Sequence, residues 1–180
     1  MGNTNNANEG PSQQDLLNER MNGILPVIDI AGHPHYVDVG MDAIRPHDNF
    51  RSPGIPFSEF KDFEMIANIA WLFYNPKERE LLTKIDLQQL YEIPGDWIVI
   101  EIPQPVFLDP YGFAVKNGWD IKETLKVYPI QENLKARIVP WEETTIPRLI
   151  EENKARRKGI KARPRFLNPY NKWEGKGPRR

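Results

Sequence analysis

The amino-acid sequence predicts an α+β protein: a small mixed sheet of about five to six strands built from hairpins plus one βααβ crossover, with short helices on one face and disordered termini. Three observations carry this expectation. Trp97-Ile98-Val99-Ile100-Glu101-Ile102 is β-branched at nearly every position and bounded by Pro94-Gly95 and Pro103, as suits a central strand covered on both faces. Two stretches, 24–39 and 67–85, pair apolar runs across turn residues and read as hairpins. After residue 103 the chain changes to capped segments with helical spacing.

In chain order, residues 1–20 have too little apolar content to offset the entropy of ordering, so order is expected to begin near Ile24. The run from Ile24 to Ile30 reads as a strand with Ile28 and Ile30 on one face. Pro26 has no N–H for a ladder, so the strand is an edge there or starts just after it. Ala31-Gly32-His33-Pro34 supplies turn residues, and 35–39 returns with Val37 and Val39 inward. Residues 40–62 mix prolines with Ile44, Phe50, Ile55, Phe57 and Phe60, which predicts a long loop pinned by apolar anchors.

Residues 63–85 carry two periodicities. Phe60, Phe63, Ala67, Ala70 and Tyr74 recur at helical spacing, whereas Ala67, Ile69, Trp71 and Phe73 alternate as on a strand. The turn chemistry of Asn75-Pro76-Lys77-Glu78 favours the second reading, a hairpin pairing 67–74 with 80–85. Asp86 to Tyr91 adds a short helical turn.

Two short helices then follow the central strand. Asp109 caps the first with Pro110 at its first position, and Asn117-Gly118 ends it. Asp120 caps the second, with Glu123 at capping-box spacing and Pro129 as the stop. Residues 136–139 form a last strand, parallel to 97–102 if the crossover holds. A final helix opens at Thr145 and runs to about Arg157. The division is therefore a disordered N-terminal segment at 1–21, one α+β domain at 22–157, and a basic aromatic tail at 158–180.

Composition narrows the function classes. The 180 residues contain no cysteine, which excludes disulfides, thiolate metal sites and cysteine nucleophiles. No run approaches the roughly 20 apolar residues that span a bilayer, and the start lacks the pattern of a signal peptide. A cytoplasmic protein with no membrane partner is expected. No GxGxxG, GxxxxGK[ST] or GxSxG pattern occurs, so nothing calls for a nucleotide, a serine nucleophile or any other cofactor.

The net charge of −1 hides a strong asymmetry. Residues 151–180 hold eleven Lys and Arg against three acids, while residues 1–150 hold thirteen bases against twenty-two acids. In the tail, Arg163, Arg165, Lys172, Arg179 and Arg180 supply cations, joined by Lys161 and Lys176, and Phe166, Tyr170 and Trp173 are spaced four and three apart. Such a segment fits an acidic, apolar groove on a partner protein. It also fits phosphates and unpaired bases of a nucleic acid. Attraction to the chain's own acidic body is a third use, and an inert solubilising tail is a fourth reading.

The leading expectation is thus a non-enzymatic protein-interaction or assembly module, with a nucleic-acid-binding accessory protein as the alternative. A third reading is a small metal-dependent enzyme on His33, His35, Asp38 and His47, since histidine with carboxylate holds zinc or iron. Against it, no helical ligand spacing occurs, and Gly-His-Pro-His suits a hairpin turn. Glu101, inside an apolar strand, is expected to lie at a strand edge or in a salt bridge, with a functional role as the alternative. Oligomeric state and ligand identity are not specified by any of these residues.

Overall fold

A computed structural model describes residues 10–49, 51–61, 69–83 and 85–159. The first hairpin forms where the alternation placed it. Strand β1 (Val27–Ile30) pairs antiparallel with β2 (His33–Asp38), and β1 begins directly after Pro26. Only two residues join the strands, and both have positive φ, Ala31 at 53° and Gly32 at 85°. That geometry matches the right-handed twist of the flanking strands, and Asp29 Oδ1 accepts from the Gly32 N–H at 3.1 Å to hold it. Ile28, Ile30, Val37 and Val39 all point into the core.

Residues 40–62 were expected to be a pinned loop and instead contribute two short strands. β3 (Ala43–Pro46) pairs with β2, and β4 (Ile55–Pro56) pairs with β3, before a 3₁₀ turn at Phe57–Lys61. The proline content masked them. Each strand is too short to show alternation, yet Ile44 and Ile55, its cross-strand partner, are both buried.

The second hairpin pairs β5 (Ile69–Asn75) with β6 (Glu80–Leu81), which decides for strand over helix in the described part of 63–85. Asn75 Oδ1 accepts from the Lys77 and Glu78 N–H groups and closes the turn. β7 (Ile98–Pro103) lies between β5 and the last strand, with Ile100 and Ile102 fully buried.

Three helices follow rather than two. A single turn, α2 (Pro105–Leu108), precedes α3 (Pro110–Asn117) and α4 (Ile121–Val127). The caps are those the sequence marks: Asp109 accepts from the Gly112 N–H, and Asp120 from that of Glu123. The final helix, α5, spans Ile146–Arg157.

The strands form two sheets, not one, in the orders β4-β3-β2-β1-β8 and β6-β5-β7-β9. The division is made by one extended segment. β8 (Leu134–Lys135) runs parallel to β1, the Ala136 N–H donates to Asp29 O at 2.8 Å, and β9 (Arg137–Val139) then joins the other sheet. β9 is antiparallel to β7, so the predicted parallel crossover between them does not exist. The sheet's parallel pair lies between β1 and β8, segments about a hundred residues apart, which no local pattern announces. Both sheets nevertheless share one core, in which Ile28, Ile30 and Ile44 meet Leu72, Tyr74 and Ile100.

A helix at the N-terminal end is the largest departure. Residues through 20 were expected to lack order, but α1 covers Gln13–Met21. Only Leu16 is buried there. One such side chain contributes about 1.5–3 kcal/mol, whereas ordering backbone costs roughly 1–2 kcal/mol per residue. Polar contacts make up the difference. Ser12 and Asp15 form a capping box. The Gln13 amide donates to Ile130 O at 2.8 Å and accepts from the Ile130 N–H at 2.9 Å. Arg20 grips Asp109 from the other end, through Nε at 3.0 Å and Nη2 at 2.7 Å. Among the described residues, no helix is long and apolar enough to cross a membrane.

Candidate functional site

The tail residues singled out by charge and aromatic spacing, Arg163, Arg165, Phe166, Tyr170, Lys172, Trp173, Arg179 and Arg180, lie outside the described residues. The structure does define the root from which that segment leaves. Pro147 near the start of α5 needs no intrahelical donor, and Ile146, Ile150 and Asn153 repeat on its buried face. Asn153 is the residue sequence reasoning missed. Its Nδ2 donates to Leu87 O and Leu90 O, both at 2.8 Å, and staples α5 to the 3₁₀ turn at Leu87–Gln89. An asparagine on an otherwise apolar stripe was the available signal. Arg156 donates to Gln88 Oε1 at 2.6 Å, and the Arg157 guanidinium lies 5.1 Å from the Tyr91 ring centroid. The helix ends at Lys158 and Gly159 on this anchored surface.

Electrostatics around the root are mixed. The acids of α5 are used within the helix, Glu152 by Arg148 and Glu151 by Lys154. Glu92 and Asp96, in the segment before β7, are exposed and have no ion-pair partner among the described residues.

The histidine and aspartate residues considered as a metal or general-base cluster are given separate tasks. Asp38 accepts from the Met41 N–H at 2.9 Å and from Arg45 Nη2 at 2.6 Å. His47 packs its ring on Tyr36, with centroids 4.7 Å apart. His35 is buried, its Nδ1 donates to His33 O at 2.9 Å, and burial lowers its pKa from the ordinary imidazole value. No group of three or more histidines and carboxylates among the described residues is placed to hold a metal ion.

Glu101 is paired, as its position inside a strand requires. Arg137 forks onto it through Nε at 3.2 Å and Nη2 at 2.6 Å, and the Trp71 indole N–H donates to it at 2.9 Å. The Arg137 hydrogen bonds hold its carboxyl below the usual range. Trp71, Glu101 and Arg137 are cross-strand neighbours on β5, β7 and β9, so this is a ladder that ties the sheet together.

Comparison of the chain with protein-family models, curated proteins and solved structures finds no match. The functional reading therefore rests on the residues themselves.

Proposed function

We propose that this protein is a non-enzymatic interaction or assembly module whose basic, aromatic C-terminal segment engages a partner protein. The observation that carries the reading is the separation of charge: a surplus of eight cations after residue 150 against a surplus of nine acids before it. Phe166, Tyr170 and Trp173 add apolar anchors to the cations. The anchoring of α5 by Asn153 supports it, because a fixed root limits the volume a tethered segment must search.

The same cations and rings favour a second reading, single-stranded nucleic acid held by phosphate contacts and stacking. One experiment separates the two. The full chain and a full-length variant carrying Phe166→Ala, Tyr170→Ala and Trp173→Ala are used as bait in host extract, with and without nuclease. Nuclease-resistant capture that the variant loses supports the protein partner. Capture abolished by nuclease supports the nucleic acid, and equal capture by both chains refutes both readings. Lack of cysteine suits a reducing cytoplasm, and fractionation that places the protein elsewhere would overturn that part.

A further inference from the structure

The interior between the two sheets contains two polar atoms with no hydrogen-bond partner among the described residues, Nε2 of His35 and the phenolic oxygen of Tyr74. His35 comes from β2 in one sheet and Tyr74 from β5 in the other, and they are 1% and 0% exposed. The Nδ1–H of His35 is committed to His33 O. A second proton must therefore go to Nε2, where it would become a buried donor without an acceptor.

An ion pair links the two sheets close to β2, where His35 is the cross-strand partner of Pro46, two residues before Asp48. Asp48, just after β3, accepts from Arg79 in the turn between β5 and β6. The groups acting electrostatically on His35 are His33 on its own strand, Arg79 and Asp48. His33 and Arg79 oppose a positive imidazole, and Asp48 favours one. Tyr74 brings no counter-charge, because burial pushes its pKa up to about 12.

We propose that His35 is an acid-sensitive lock on the seam between the sheets: the neutral ring keeps it closed, and protonation draws Asp48 away from Arg79 and frees the β5–β6 turn. A new cation repels Arg79 and competes with it for Asp48, the carboxylate that favours the charged ring. Both effects act against the cross-sheet pair. Burial holds the imidazole below its ordinary value of 6.5. The stability contributed by the neutral form is thus complete above pH 6.5 and is lost as pH falls through that value toward the folded-state midpoint.

The test uses the full chain. The His35 ring is titrated by NMR, and hydrogen exchange of the 79–82 amides is compared at pH 7.5 and 5.5 after correction for intrinsic rates. The expected result is a midpoint below 6.5 together with loss of protection at 79–82 on acidification. A midpoint one pH unit below the unfolded value corresponds to about a tenfold fall in the folding constant. In His35→Phe that acid-dependent loss should vanish, whatever the variant's stability at pH 7.5. A His35 midpoint at or above 6.5, or unchanged protection at 79–82, overturns the lock even if His35→Phe does not fold.

Discussion

Replacing Arg20 with alanine removes the partner of a carboxylate that is almost wholly buried. Asp109 is 1% exposed and accepts three hydrogen bonds, two from Arg20 and one, at 2.9 Å, from the Gly112 N–H. Breaking a buried pair from one side costs about 3–5 kcal/mol, since the other charge is left without compensation. The Gly112 N–H and the positive end of α3 remain, so the lower end of that range, about 3 kcal/mol, is expected. For a domain of this size that is roughly a 6–12 °C fall in Tm. Urea unfolding measures the loss, and hydrogen exchange across residues 13–21 locates it, because α1 should release and admit water to Asp109. Asp109→Asn keeps a good cap and removes the charge, and should cost about 1–2 kcal/mol. A loss below about 1 kcal/mol in Arg20→Ala, with α1 amides still protected, would refute the claim that this pair holds the helix.

Gly54→Ala should lose more than about 2 kcal/mol in urea unfolding, because the backbone there has φ of 69° and an added Cβ would lie 2.2 Å from Ile44 O. Near-wild-type stability would mean that β3 and β4 do not approach so closely. Tyr74→Phe deletes a buried hydroxyl without a partner among the described residues, and should leave stability unchanged or raise it by about 1 kcal/mol. A loss above about 2 kcal/mol would show that the hydroxyl is hydrogen-bonded in solution.

The elements that could be read in advance share a property: their signals lie within a few residues of one another. The first hairpin, β5 with its turn, β7, the Asp109 and Asp120 caps and the final helix all belong to this group. What escaped depends on distant partners. α1 owes its order to Ile130 and Asp109, more than eighty residues away in the chain, and its composition alone argues against order. In the site, the charge separation is plain in the residue order. The Asn153 staple is not, since an asparagine counts as polar until its two carbonyl acceptors are in place. The four residues of the histidine cluster lie close in sequence, yet strand direction and burial gave Asp38, His47 and the His35 ring different partners.

By itself the sequence determined the α+β class, the positions of most turns and caps, and the opposed charges of body and tail. Periodicity, capping chemistry and composition are local quantities, so they survive without a fold. Only the tertiary structure decided that the strands divide into two sheets at Ala136, that β9 opposes β7, and that an N-terminal helix is clamped onto the body. Those outcomes rest on hydrogen bonds and ion pairs between segments that lie far apart in the chain and meet only in the folded state.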